Sequence, residues 1–148
     1  MKKSIIAMLM IASLAVHASG PVDVNEKIMR AFKQTFSLAQ DVVWHQQGQV
    51  YQASFWQNDI NIRAKYDEGG NLLQTIRYYA ERNLPPNILA HLKNKYGNRS
   101  VFGVTEVTSE NEVTYFVTMQ DARHWYTVKA DMYGNSEQTE KIRKTDPQ

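Results

Sequence analysis

The sequence predicts an α+β fold: two tandem helix-plus-four-stranded antiparallel units that form one curved sheet, with both helices on the same face. Three observations predict it. Apolar residues at helical spacing are followed by four short segments alternating with period two, and that order then occurs a second time. Short turns rich in Gly, Asn and Asp separate the alternating segments, as hairpin-linked neighbours require. Two Asp-x-x-Gly-Asn turns, at residues 67–71 and 131–135, lie 64 positions apart within longer matching stretches.

Val24, Ile28, Ala31, Phe32 and Phe36 recur every third or fourth residue, which predicts a helix over about residues 24–36 with Asp23 or Asn25 as its N-cap. Val42-Val43-Trp44 then begins a strand, and Gln47-Gly48 offers a turn. Residues 50–56 are rich in β-formers and alternate, and Asn58-Asp59 makes the next turn. Ile60, Ile62, Ala64 and Tyr66 interleave with Asn61, Arg63 and Lys65, the pattern of a half-buried strand. Residues 67–71 form a turn, and residues 72–79 return.

Leu84-Pro85-Pro86 ends the sheet run and opens a helix, because proline suits a first helical turn. Ile88, Leu89, Leu92 and Tyr96 mark its apolar stripe, and Gly97 ends it. Strands are expected near residues 100–109, 112–119, 123–130 and 136–142, with Glu110-Asn111, residues 120–122 and residues 132–135 as turns. Residues 144–148 read as a frayed tail.

Aligning the two Asp-x-x-Gly-Asn turns tests for duplication. Lys65, Asp67, Gly70, Asn71, Gln74 and Thr75 then match Lys129, Asp131, Gly134, Asn135, Gln138 and Thr139. These identities fall in an eleven-residue window, where chance supplies roughly one. The same shift matches Tyr51 with Tyr115 and sets Val24, Ile28 and Phe32 against Ile88, Leu92 and Tyr96. Two repeats, at about 22–82 and 83–143, would therefore make one domain over residues 19–148.

Residues 1–18 read as a cleavable signal peptide. Lys2-Lys3 is basic, residues 5–16 are an apolar run too short to span a bilayer, and Val16-His17-Ala18 sets small residues at the cleavage positions. The protein is thus expected to be periplasmic or secreted after cleavage near Ala18, with no transmembrane segment in the mature chain. Removing Lys2 and Lys3 takes the formal net charge from +2 to zero. A neutral domain without a basic block argues against nucleic acid as a partner. The absence of cysteine means that a packed core, with no disulfide, must hold the fold.

The ordered series is Trp44, Tyr51-Gln52-Ala53-Ser54-Phe55, Tyr66-Asp67-Glu68-Gly69-Gly70-Asn71-Leu72 and Leu84-Pro85. Glu106-Val107, Thr114-Tyr115-Phe116-Val117, Val128-Lys129-Ala130-Asp131 and Gly134-Asn135 follow. This series resembles the PepSY-like, β-lactamase-inhibitor-like family of small secreted bacterial proteins. The resemblance covers nearly all of the mature chain. It implies the tandem helix-plus-four-strand fold of the β-lactamase inhibitor protein, whose concave sheet grips a target enzyme. It does not imply inhibition of a β-lactamase, and that inhibitor carries disulfides which this chain lacks. The broader PepSY class suggests envelope proteins that bind or restrain peptidases.

Catalytic chemistry finds little support in the residues. His45, His91 and His124 lie in no His-x-x-x-His or His-Glu-x-x-His spacing, and without cysteine the thiolate metal sites are excluded. No Gly-x-Ser-x-Gly segment offers a constrained nucleophile. Glu106, Glu110 and Glu112 gather at one hairpin and read as a solvated edge rather than an acid–base pair. The aspartates of the two Asp-x-x-Gly-Asn turns lack the dense oxygen ligands of a calcium loop and read as turn aspartates. No enzyme activity and no cofactor or metal is expected.

The open sheet face is the candidate site. Period-two parity sets Trp56, Arg63, Lys65, Tyr78, Phe116, Trp125 and Lys129 on the face away from the helices. Aromatic side chains among cations on an uncovered sheet suit a protein-binding surface. The bland reading is that they pack on each other across strands, or beneath a loop or a second copy. The expected function is therefore an exported non-catalytic binder of a protein partner, such as an envelope peptidase or another enzyme. The alternative is a periplasmic small-molecule or metal carrier cradled by the sheet.

Overall fold

A computed structural model describes residues 22–145 of the 148-residue chain. The expected signal peptide and its cleavage site lie outside the described residues. The chain order is helix α1 (Glu26–Thr35), strands β1 (Gln40–Gln47), β2 (Val50–Gln57), β3 (Ile60–Tyr66) and β4 (Leu72–Tyr79), helix α2 (Pro86–Tyr96), then β5 (Ser100–Ser109), β6 (Glu112–Gln120), β7 (His124–Asp131) and β8 (Ser136–Arg143). A single 3₁₀ turn, Glu81–Asn83, leads from β4 into α2. All eight strands form one antiparallel sheet in sequence order, with each strand hydrogen-bonded to the next.

Local chemistry explains the boundaries. Asn25 caps α1, its Oδ1 accepting from the Ile28 N–H at 3.1 Å, while Glu26 and Lys33 complement the helix dipole at opposite ends. Pro86 opens α2 where its missing N–H costs nothing. Gly97 closes α2 with right-handed backbone (φ −60°), and a Cβ there would fall 2.7 Å from the Lys93 carbonyl oxygen. Its role at this helix end is close approach, not a left-handed turn. Asn58 and Asp59, and likewise Glu110 and Asn111, take positive φ in pairs, the type I′ geometry that matches strand twist.

The two Asp-x-x-Gly-Asn turns share one hydrogen-bond pattern. Asp67 accepts from the Asn71 N–H at 2.9 Å and from Asn71 Nδ2 at 2.8 Å; Asp131 accepts from Asn135 at 2.9 and 2.7 Å. Gly70 and Gly134 supply φ of +85° and +92°. Each carboxylate is held below the usual range, chiefly by its asparagine side-chain amide.

The core lies between the helices and one sheet face. Ile28 and Phe32 of α1 are buried one turn apart, and the Phe32 ring centroid lies 5.3 Å from Trp44 and 5.1 Å from Phe55. Ile88 and Leu92 of α2 are buried, as are Val117, Met119, Val128 and Ala130 of β6 and β7. Each of these buried side chains larger than alanine contributes about 1.5–3 kcal/mol by leaving water. Trp44 and Tyr96 are partly buried against it.

Two expectations need correction. Glu106 does not share a solvated edge with Glu110 and Glu112. It is buried on the helix-side face, where Tyr79 Oη donates to it at 2.5 Å and Arg77 Nη1 lies 3.2 Å away. Lys144, expected in a frayed tail, is pinned: its backbone N–H donates to the Arg123 carbonyl, and its Nζ to Gln120 Oε1 and the Asp121 carbonyl, each at 2.8 Å. No helix among the described residues is long and apolar enough to cross a membrane.

Candidate protein-binding face

Strand alternation sorts every side chain to one face or the other, and strand register then decides which outward residues become neighbours. The pairings Trp56↔Asn61, Asn61↔Tyr78, Tyr78↔Thr105, Thr105↔Phe116 and Phe116↔Lys129 run without a break from β2 to β7. Trp56, Tyr78, Phe116 and Lys129 thus share one cross-strand row, which spans five inter-strand gaps of about 4.8 Å, or roughly 24 Å. Helix-facing neighbours on the same strands, among them Phe55, Tyr79 and Val117, are buried.

The remaining three residues lie off this row. Arg63 sits opposite Ile76 in the next row, its guanidinium carbon 5.4 Å from the Tyr78 ring centroid. Lys65 lies one row further, opposite Gln52 and Gln74. Trp125 pairs with Gln120 and Ile142 near the opposite end of β7 and does not touch the main row. All seven residues share the open face, but they form a row with two flanking cations and a separate aromatic corner. Trp56, Arg63 and Lys129 are exposed, and the other four are partly so.

The aromatic corner contains a residue that parity misplaces. The Phe102 ring stands edge-on to Trp125 at 4.8 Å, while Lys144 Nζ lies 4.6 Å from the Trp125 ring centroid. Phe102 is 63% exposed and Ile142, opposite Trp125, is 50% exposed. A register shift between Val101 and Gly103 inserts Phe102 as an extra residue in β5. Strict alternation counted back from buried Val104 assigns Phe102 to the helix side, whereas the bulge delivers it to Trp125.

The turn before β7 fixes this corner. Asp121 accepts from the N–H groups of Arg123 and His124 at 2.7 Å each, and from Tyr126 Oη at 2.6 Å. The Tyr126 hydroxyl, with help from those amides, holds the Asp121 carboxyl well below the usual carboxylate range. The first residues of β7, Trp125 among them, are therefore held by a charge-assisted loop.

No group of three His, Cys, Asp or Glu side chains among the described residues converges as a metal site would require. What the face presents is aromatic area, hydroxyls and amides from Thr, Ser, Asn and Gln, and the cations Arg63, Lys65, Lys129 and Lys144. At its β8 margin stand the carboxylates of Glu137, opposite Lys129, and Glu140, bonded to Thr127. That composition suits desolvated contact with a protein surface.

No protein-family model matches the sequence, and no curated protein matches it at a significant level. Solved structures do match in fold. The chain is similar to a BLIP-like protein from Bacteroides fragilis, with a TM-score of 0.64 and 22% identity over 87% of this chain and 92% of that one. It is also similar to a DUF2874-family protein from Bacteroides ovatus, with a TM-score of 0.63 and 17% identity over 82% and 89% of the two chains. A third similar structure, from Bacteroides eggerthii and named only as a candidate periplasmic protein, gives a TM-score of 0.61 and 14% identity over 82% and 90%. The fold is thus the BLIP-like one: a single eight-stranded antiparallel sheet carrying two helices. At these identities the likeness is one of fold.

Proposed function

We propose that this chain is an exported, non-catalytic binding protein that engages a protein partner through the open face of its sheet. The unbroken row from Trp56 through Tyr78 and Phe116 to Lys129 carries the reading, because it lines aromatic area and a cation along a face that no helix among the described residues covers. Arg63, Lys65 and the Trp125 corner extend the surface on either side. An envelope enzyme, including a peptidase, is the partner class that the PepSY-like sequence motifs favour. Residues 1–18, with their signal-peptide pattern, support export, and the Bacteroides eggerthii structure's description supports the periplasm as destination.

The halves are read as copies of one helix-plus-four-strand unit. The sequence identities at a shift of 64 support this, as do the matching geometries of the turns at Asp67 and Asp131.

Replacing Phe116 and Trp125 together with alanine tests the site. The double variant should lose a partner co-purified from the native envelope by the wild-type chain, while its thermal unfolding stays nearly unchanged. Unaltered capture, or a variant that unfolds, would remove these residues from the site. A small molecule or metal found in native mass spectra of protein from its own host would favour the carrier reading instead.

A further inference from the structure

The two edges of the sheet differ in chemistry. The outer edge of β8 carries Glu137, Glu140, Lys141 and Arg143 within eight residues, the charged guard that keeps foreign strands away. The outer edge of β1 has no such guard: from Val42 to Gln47 it holds no Lys, Arg, Asp, Glu or Pro. Beside it lie four of the molecule's exposed large apolar side chains: Leu38 (63%), Val42 (36%), Val43 (54%) and, opposite Gln40 on β2, Trp56 (47%).

The backbone of β1 sets what can pair with it. The β1–β2 hairpin closes at Gln47 and Val50 around two residues, with Gly48 at φ +60°. In such a hairpin the closing pair exchanges hydrogen bonds, and bonding then alternates along the strand. The N–H and C=O groups of Gln47, His45 and Val43 therefore point to β2, and those of Gln46, Trp44 and Val42 point out of the sheet. Before Val42, Asp41 at φ +53° breaks the register and limits the free edge to this segment.

We propose that β1 is a self-association edge, on which the β1 strand of a second copy of this chain pairs antiparallel about a two-fold axis at Trp44. This register satisfies all three outward residues, Val42 against Gln46, Trp44 against Trp44 and Gln46 against Val42. Registers centred on Val43 or His45 leave one of them unused. It sets Val43 beside His45 of the other copy and places no like charges in opposition. The alternative pairing of β1 with β8 is head-to-tail and would grow into filaments, and the charges on β8 oppose it. The isologous contact closes at two copies. It joins the two open faces into one surface and leaves the row from Trp56 to Lys129 uncovered, so it stands independently of the partner reading above.

The test is solution mass by sedimentation equilibrium on the processed chain, from about 1 to 500 μM, a range that spans a modest interface. The expected result is a concentration-dependent shift from one copy to two. Val43→Lys should abolish that shift, with circular dichroism unchanged and the thermal midpoint unchanged at about 1 μM, where both chains are single copies, because Val43 is exposed in the single copy. Thr139→Lys on β8 should leave the shift intact. The chain has no cysteine of its own, so Val43→Cys/His45→Cys should give a covalent dimer on mild oxidation, with peptide mapping linking position 43 to position 45. A single-copy mass at every concentration overturns the proposal. So does a dimer that survives Val43→Lys, a dimer broken instead by the β8 variant, or pairing of β1 only with a different protein.

Discussion

A Cβ placed on Gly134 would fall 1.9 Å from His91 Nδ1, while one placed on Gly70 would fall 3.0 Å from the carbonyl oxygen of Lys27. Positions 27 and 91, like 70 and 134, are 64 apart, so each Asp-x-x-Gly-Asn turn abuts a helix at the corresponding place. The obstacles differ in kind. The imidazole of His91 can swing aside; the backbone of α1 cannot. Both glycines also hold φ near +90°, which costs a residue with a Cβ about 1–2 kcal/mol. Gly70→Ala should therefore destabilise by about 2–3 kcal/mol and Gly134→Ala by about 1–2 kcal/mol, seen as lowered denaturation midpoints. His91→Ala should recover part of the Gly134→Ala loss, whereas Lys27→Ala should recover none of the loss at Gly70.

Acid should weaken the fold through three turn aspartates. Asp67, Asp131 and Asp121 are all held below the ordinary carboxylate value in the folded state, first by Asn71, Asn135 and Tyr126 respectively. A depressed folded pKa contributes stability that is present above the unfolded value and lost as pH falls through the folded one. The thermal midpoint should thus be flat from neutral pH down to about 5 and fall below about 4. Replacing all three with asparagine should lower the neutral midpoint and flatten the acid limb; an unchanged limb would show that other groups control it.

These turns were legible because their chemistry is local: Asp, Gly and Asn at fixed offsets dictate the loop wherever it occurs. The helices were legible for a similar reason: the sequence offered Asp23 or Asn25 as the first N-cap, of which the structure uses Asn25, and Pro86 marks the second start. The open-face residues followed from parity, which holds wherever a strand is regular. Parity breaks at Phe102, where one inserted residue moves a ring from the expected side to the other. Register is the other quantity that sequence does not display. Only the pairing of each strand with the next shows that Trp56, Tyr78 and Phe116 share a row while Trp125 stands apart. Glu106 was misplaced because proximity in sequence to Glu110 and Glu112 says nothing of Arg77 and Tyr79 across the strand gap.

The buried Glu106 should be felt in both stability and tyrosine ionisation. Removing it in Glu106→Ala leaves Tyr79 Oη without an acceptor and Arg77 without its partner, a loss of about 3 kcal/mol. Glu106→Gln should cost less, because an acceptor remains. Burial raises Tyr79, and the adjacent Glu106 raises it further; burial alone pushes Tyr66 up to about 12. Tyr115 is raised chiefly by burial and Tyr126 chiefly by its hydrogen bond to Asp121. A raised folded pKa contributes stability below the unfolded value, here 10.0, that is lost as pH rises through the folded one. Ultraviolet titration of the folded chain should therefore show these four of the eight tyrosines ionising late, with alkaline unfolding releasing them together. A single step near the ordinary tyrosine value for all eight would contradict the burial of Tyr66 and Tyr79.

Reversing charge on the open face separates binding from folding. Arg63 is exposed and lies over Tyr78, and Lys129 is exposed opposite Phe116, so neither supports the core. Arg63→Glu and Lys129→Glu should each move stability by no more than about 0.5 kcal/mol. If the cations steer a partner of complementary charge, each change should slow association at about 50 mM salt and matter less at about 500 mM, where screening is strong. Trp56→Ala and Tyr78→Ala remove contact area instead, so their effect should fall on dissociation and persist at high salt. Association measured by surface plasmon resonance across that range distinguishes the two classes. Equal and salt-independent effects from all four would mean that the row acts through the fold rather than at an interface.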